Sequence, residues 1–211
     1  ELGSICIVMG GGITSFAAFK GSQFIYGDMI PYGGHHVTKD IAQGLSTPLS
    51  AAERLKTLFG NCLSAMSTVR HQIDVTQIGD SGQENVTTIP RKMLTSIIEP
   101  RVEEIFEIIR DKIRDAGLEN TVGRRLIITG GASQLGGVEE LAKKVFKCQV
   151  RLGLPLNIDG LADTTMGGGF ATGAGLLLYA TSRPEELHFM DKKKINQGLF
   201  ESIRNWIKSN F

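Results

Sequence analysis

Two glycine clusters, each set directly after a short apolar run, constrain this chain more than any other feature. The first is Gly10-Gly11-Gly12, after Ser4–Met9; the second is Gly130-Gly131, after Arg125–Thr129. A short apolar run without breakers reads as a buried strand, and glycines at its end permit a tight turn and a close approach of backbone. Successive glycine amides can also point into one concavity, which suits phosphate oxygens. The second cluster precedes a helical pattern, and a helix N-terminus favours anions. A plain tight turn accounts equally well for either cluster taken alone. Neither fits G-x-G-x-x-G or G-x-x-x-x-G-K-[ST], so the dinucleotide fingerprint and the P-loop are excluded.

The surrounding pattern predicts an α/β fold. Ser4–Met9, Ser15–Phe19 and Phe24–Ile30 read as a three-strand meander whose first turn holds the three glycines and whose end is Pro31-Tyr32-Gly33-Gly34. A short helix follows over Val37–Gly44. A second starts after Pro48, with Ser50 as N-cap and Glu53 closing a capping box. Gln72–Ile78 and Glu84–Ile89 alternate around Gly79-Asp80-Ser81-Gly82 as a small hairpin. Residues 97–116 form the clearest helix, with Ile98, Val102, Ile105, Phe106, Ile109 and Ile113 on one stripe and Gly117 as its stop. Strand Arg125–Thr129, helix Val138–Phe146, strand Gln149–Leu152 and an apolar helix over Phe170–Tyr179 complete the order. Helices packed on a mixed sheet are the natural solution for such a series.

Composition narrows the function classes. Lys plus Arg number 23 against 22 Asp plus Glu, so no domain-wide positive field exists and nucleic acid is not an expected partner. No apolar run is long enough to span a bilayer as a helix. The three cysteines, Cys6, Cys62 and Cys148, show neither metal spacing nor a disulfide framework. His35, His36, His71 and His188 show no ligand spacing and read as surface or loop residues. The chain opens at Glu1 without a Met and reads as the C-terminal piece of a longer protein.

The end of the chain carries its own signal. Residues 181–196 are polar and read as a linker, and 197–211 turn apolar again. On a helix, Leu199, Phe200, Ile203, Trp206, Ile207 and Phe211 fall within an arc of roughly 140°. Lys192, Lys193 and Lys194 precede them, and from 192 onward five basic residues face one acidic. Aromatics on one side and cations around them describe a helix lying in an anionic membrane surface. A terminal helix docked on its own domain is the alternative.

The motifs together resemble the actin-like ATPase superfamily and, within it, the FtsA family of bacterial cell division proteins. The matching stretches include Gly10-Gly11-Gly12, Ile30-Pro31-Tyr32-Gly33-Gly34, Thr38-Lys39-Asp40-Ile41-Ala42, Ile98-Glu99-Pro100-Arg101 and Ile127-Ile128-Thr129-Gly130-Gly131-Ala132-Ser133-Gln134-Leu135. They continue through Val150-Arg151-Leu152-Gly153 and Ala171-Thr172-Gly173-Ala174-Gly175. The resemblance implies a ribonuclease H-like lobe of the actin, heat-shock-chaperone and sugar-kinase type. Residues 1–36 and 106–180 would be its large subdomain and 37–105 a small inserted α+β subdomain, followed by the linker and the amphipathic helix. It also implies roles. Gly10, Gly11 and Gly12 would form a phosphate loop, Glu53 and Lys56 would reach ribose and adenine, and Gly130, Gly131, Ala132 and Gln134 would make an adenosine loop. ATP with Mg²⁺ is the implied cofactor of the parent protein.

The chain departs from that pattern at two positions. Val8 stands where an Asp is usual and Ile13 where a Thr is usual. Valine cannot ligate a hard cation, so ATP hydrolysis by this chain alone is not expected. The implied role is a scaffold at the cytoplasmic face of the plasma membrane, at the division septum. It would self-associate into actin-like filaments, meet other divisome proteins and bind the C-terminal peptide of FtsZ near the small subdomain. Arg101 is the candidate partner for that acidic peptide, with a structural ion pair as the equal alternative. A soluble kinase of the same superfamily and an inert fragment of a split gene are the rival readings.

Overall fold

Strict alternation of apolar side chains builds the central sheet. In strand β1 (Gly3–Met9), Ile5, Ile7 and Met9 are buried, and the residues between them are only partly covered. Strand β2 (Thr14–Lys20) repeats the period, which is that of a strand with one face on a core, while the edge strand β3 (Gln23–Ile30) is mostly exposed and buries only Ile30. The computed structural model describes residues 3–63, 72–78, 84–119, 125–156 and 166–182. They belong to two units, residues 1–172 and residues 173–211.

The first unit carries a mixed five-stranded sheet in the order β3-β2-β1-β6-β7. β1, β2 and β3 form the antiparallel meander predicted from the sequence. Strand β6 (Arg125–Thr129) lies parallel to β1, and β7 (Gln149–Leu152) lies parallel to β6. Parallel neighbours need a long crossover, and the chain supplies one between β1 and β6 and helix α4 (Val138–Phe146) between β6 and β7. The hairpin of β4 (Gln72–Ile78) and β5 (Glu84–Pro90) makes a separate two-stranded sheet. It is pinned to the turn after α1 (Gly34–Gly44), since the Ile78 amide donates to the Ser46 carbonyl at 2.8 Å and Gln77 Nε2 to that of Leu45 at 3.0 Å.

Helix boundaries differ from the sequence reading, beginning with α1, which starts at Gly34 rather than Val37. Helix α2 runs over Leu49–Phe59 with Pro48 at its N-cap, so Ser50 sits inside the first turn and caps nothing. The Ala52 amide bonds the Pro48 carbonyl, and the Glu53 carboxylate is engaged by Thr38 and Lys56 rather than by a capping box. Helix α3 spans Arg91–Asp115, beginning six residues before the predicted start and carrying Pro100 inside it. Leu94 and Ile98 are fully buried there, so packing outweighs the amide that Pro100 lacks. The predicted stripe from Ile98 to Ile113 is buried throughout. It lies against α1 and α4, and Phe106 meets Phe146 edge-on with ring centroids 5.7 Å apart.

In the second unit, most of α5 (Ala171–Thr181) is rich in small and apolar residues, with Leu176, Leu177 and Leu178 exposed. Thr181, assigned to the linker by composition, still belongs to this helix. The rest of the predicted linker and the amphipathic helix over 197–211 lie outside the described residues. Among the described residues no helix is long and apolar enough to cross a membrane.

Cys62 shows how tightly the elements are joined. Its amide donates to the Gly136 carbonyl at 2.8 Å, its Sγ lies 3.1 Å from the same oxygen, and the side chain is fully buried. Burial pushes the thiol up to about 12, so it stays protonated and unreactive at pH 8. Burial raises the Cys6 and Cys148 thiols as well, but both are partly exposed, so in the native chain at pH 8 a maleimide is expected to modify them slowly while Cys62 stays unlabelled until urea opens the fold. Peptide mapping that finds Cys62 labelled equally fast with and without urea would contradict this packing.

Candidate functional site

The two glycine turns meet because of strand register. β1 and β6 pair in parallel with Val8 opposite Thr129, so both strands end at the same edge of the sheet. Gly10 follows one strand and Gly130 the other. The carboxyl ends of parallel strands are where open α/β sheets place ligands.

Gly130 is where the approach is closest. Its φ is +99°, a region that side chains rarely adopt, and a Cβ there would collide with the Met9 carbonyl. The turn is held by buried hydroxyls. Thr129 Oγ1 donates to the Gly153 carbonyl at 2.8 Å, and Ser133 Oγ to that of Gly130 at 2.7 Å. The Gly130 amide bonds the Gly168 carbonyl at 3.0 Å. A short 3-10 helix, Gly131–Gln134, follows directly. The amides of Gly131 and Ala132 begin it and have no intrahelical acceptor.

The Gly10–Gly12 turn has a different reason for its glycines. None of the three has a positive φ. The Gly10 amide donates to the Ile13 carbonyl at 2.9 Å, and the carbonyls of Gly10 and Gly11 accept from the amides of Gly34 and His35 at 2.9 and 2.8 Å. The N-terminus of α1 is thus seated on the turn. A Cβ on Gly33 would lie 2.6 Å from both of those carbonyl oxygens, and one on Gly11 would lie 2.8 Å from His35 Nε2. Among the described residues the amides of Gly11 and Gly12 have no hydrogen-bond acceptor.

Helix α2 adds the charged wall. Glu53 and Lys56, three positions apart, form an ion pair at 2.8 Å. Lys56 Nζ also donates to Thr38 Oγ1 at 2.9 Å and to the Gly34 carbonyl at 3.1 Å. An ammonium has three donors, so Lys56 is saturated by α1 and its own helix. Glu53 Oε2 accepts from both Lys56 and Thr38, which leaves Oε1 without a partner among the described residues. Burial alone would raise the Glu53 carboxyl. The hydrogen bonds from Lys56 and Thr38 outweigh it and hold the group below the ordinary glutamate range, ionised at neutral pH.

These pieces enclose a cavity of about 510 Å³, a size typical of small-molecule sites. Gly10, Gly11, Glu53, Lys56, Gly131, Ala132 and Gln134 line it, as the sequence reading grouped them. Gly12 and Gly130 are not among the lining residues: Gly12 is exposed beside Gly11 in the turn, and Gly130 packs against Met9. Met9, Val37, Val102 and Ile105 add apolar surface. Arg101 is elsewhere: its guanidinium forks onto Asp40 and also bonds Glu104. Val8 and Ile13 offer no side-chain oxygen near the turn, and among the described residues no three His, Cys, Asp or Glu side chains are grouped to hold a metal. Lys192, Lys193, Lys194 and the apolar face from Leu199 to Phe211 lie outside the described residues.

Thr57, whose Oγ1 is spent on the Glu53 carbonyl, and His35, read from the sequence as a surface or loop residue, are polar lining residues that sequence reasoning left out. Neighbouring histidines without ligand spacing give no signal. The one available clue to His35 was its place two residues after Gly33, where the N-terminus of α1 meets the glycine turn.

The donors and cradle fit an anionic ligand with a sugar or hydroxyl group near Glu53. Open amides and glycines leave room at one end, and a free carboxylate oxygen faces the other. The two glycines of the second turn are expected to differ in tolerance. Gly130→Ala should cost about 1–3 kcal/mol from strain at positive φ alone, whereas Gly131→Ala, with open space at its Cβ, should be close to neutral. Urea midpoints of the two variants check this, and equal midpoints would overturn the assigned geometry.

The chain is similar to proteins whose family is known. The family profile described as cell division protein FtsA matches residues 5–175. The cell division protein FtsA of Rhizobium meliloti (strain 1021) is 37% identical over 215 residues, covering 100% of this chain and 49% of that protein. That of Escherichia coli (strain K12) is 32% identical over 215 residues, covering 99% of this chain and 50% of that protein. The chain therefore spans about half the length of these relatives. Among solved structures, MreB 5 of Spiroplasma citri bound to AMPPNP superposes with a TM-score of 0.67 at 16% identity, covering 89% of this chain and 55% of the other. The PilM–PilN type IV pilus biogenesis complex gives 0.63 at 16% identity over 85% of this chain and 46% of the other. Those structures share the actin-like α/β fold, and the profile together with the curated relatives places this chain in the FtsA family of cell division proteins.

Proposed function

We propose that this chain is the C-terminal part of an actin-like, ATP-binding cell division protein that polymerises and tethers FtsZ to the cytoplasmic membrane at the septum. The observation that carries the nucleotide part is the cavity where two glycine turns, the N-terminus of α1 and Glu53 converge. The unpartnered amides of Gly11 and Gly12 would receive phosphate oxygens, and Glu53 Oε1 would accept from ribose hydroxyls. Gly131, Ala132 and Gln134 would border the adenosine. Lys56 would hold Glu53 and α1 in place, because its donors are already engaged. Fold neighbours crystallised with AMPPNP and with ADP support this choice of ligand. Magnesium would arrive on the nucleotide, since Val8 and Ile13 supply no oxygen ligand.

In this reading residues 1–36 and 106–180 serve as the large subdomain, 37–105 as the small one, 181–196 as a linker and 197–211 as the membrane anchor. The FtsZ peptide would dock on the small subdomain. Arg101 could join it only by exchanging Glu104 or Asp40 for a carboxylate of the peptide. The aromatic face from Leu199 to Phe211 and the preceding lysines would bind anionic lipid reversibly, with self-association adding avidity.

Two measurements test the proposal. Titration calorimetry of the chain with ADP should show saturable binding that Glu53→Ala weakens several-fold through loss of the ribose acceptor. An unchanged affinity in Glu53→Ala would remove ribose recognition from this wall. Co-sedimentation with phosphatidylglycerol vesicles should deplete the chain from solution at low salt, and deletion of residues 197–211 should abolish this. Equal sedimentation by both forms would sink the anchor reading.

A further inference from the structure

The phosphate end of the cavity has almost no side-chain chemistry of its own. Met9, Gly10, Gly11, Gly12 and Ile13 carry no polar side chain. The next hydroxyl, Thr14 Oγ1, is buried and spent on the Tyr32 carbonyl at 2.7 Å. Lys56 is the only lysine or arginine among the lining residues, and its three donors are committed. Gln134, another polar lining side chain, lies beside Gly167 and Gly169 at the second turn, so among the described residues the uncommitted polar side chain facing the first turn is His35.

The placement of His35 is specific. Its own amide is bonded to the Gly11 carbonyl at 2.8 Å, which anchors the residue to the turn through its main chain. Its ring lines the cavity, with Nε2 only 2.8 Å from where a Cβ on Gly11 would sit. Among the described residues the ring nitrogens have no hydrogen-bond partner, unlike those of His36, whose Nδ1 accepts from the Gly33 amide at 3.2 Å. The ring is also close enough to Glu53 to favour its ionised form. It therefore stands between the glycine turn and the proposed ribose acceptor. An imidazole donates one N–H when neutral and two when protonated, and an adjacent phosphate strengthens either bond by its charge.

The geometry points to His35 as the side chain that makes this cavity select phosphorylated nucleosides over nucleosides. The inference rests on the nucleotide reading above and adds to it the residue that recognises the phosphate. The backbone amides of Gly11 and Gly12 hold the phosphates in place. His35 supplies the one side-chain donor able to pair with their charge, a part that the sequence pattern gave no reason to assign.

Titration calorimetry of the chain with ADP and with adenosine, in metal-free buffer containing EDTA, tests this directly. His35→Ala should weaken ADP binding about tenfold, as expected for loss of one charge-assisted hydrogen bond. Adenosine binding should be unchanged, which also shows that the variant is folded. His35→Gln keeps a donor and should recover part of the ADP affinity. An ADP affinity unaltered by His35→Ala, or a parallel loss for ADP and adenosine, would overturn the inference while leaving the nucleotide reading intact. Failure of the unsubstituted chain to bind either compound would overturn both.

Discussion

The parallel pairing of β1 with β6 is the constraint on which the rest of the site depends. With Val8 opposite Thr129, the chain must turn at Gly10 and at Gly130 side by side. Backbone then approaches backbone so closely that a methyl group on Gly130 would strike the Met9 carbonyl. Both turns present amides rather than side chains toward the same space, and glycine is the residue that permits it. About 120 residues of intervening chain serve to return β6 to β1 and to bring two helices over the gap.

Those helices are tied to the turns by hydrogen bonds as well as by packing. The amides of Gly34 and His35 use the carbonyls of Gly10 and Gly11. Lys56 reaches from α2 to the Gly34 carbonyl and Thr38, so one ammonium joins α2, α1 and the edge of the cavity. Its exposed neighbour Glu53 is oriented by the same knot, with one carboxylate oxygen fixed and the other open. Beyond α2, Cys62 and Gly136 close the lower side through a backbone bond. Fixed donors and an oriented carboxylate form a preorganised wall, which lowers the ordering cost of binding.

Much of this was legible beforehand. Short apolar runs ended by glycines or by Pro31-Tyr32-Gly33-Gly34 identified the meander, and the 3.6-residue stripe from Ile98 to Ile113 identified α3. The family resemblance implied the grouping of Gly10, Gly11, Gly12, Glu53, Lys56, Gly130, Gly131, Ala132 and Gln134, and all of these but Gly12 and Gly130 line one cavity. Other features were hidden for physical reasons. Ser50 and Glu53 make a convincing capping box in one dimension, but Thr38, fifteen positions away, competes for the same carboxylate. Pro100 looks like the start of a helix, because local rules place proline in a first turn. Burial of Leu94 and Ile98 carries α3 through it. His35 gave no signal because its partner in space, Gly11, lies on another element.

The sequence alone determined the α/β class, the strand and helix order and the family, because these rest on local periodicity and on motifs read along the chain. Tertiary structure decided what each polar atom has left to offer. The resemblance implied Lys56 as a ligand contact, and within the fold its three bonds tie α2 to α1. Arg101 was a candidate anchor for a peptide, and Asp40 already holds it. His35 read as a surface or loop residue, but it lies in α1, and the seating of that helix on the glycine turn left its ring open within the cavity. Hydrogen-bonding capacity is finite, and only the folded arrangement shows which donors and acceptors are already used.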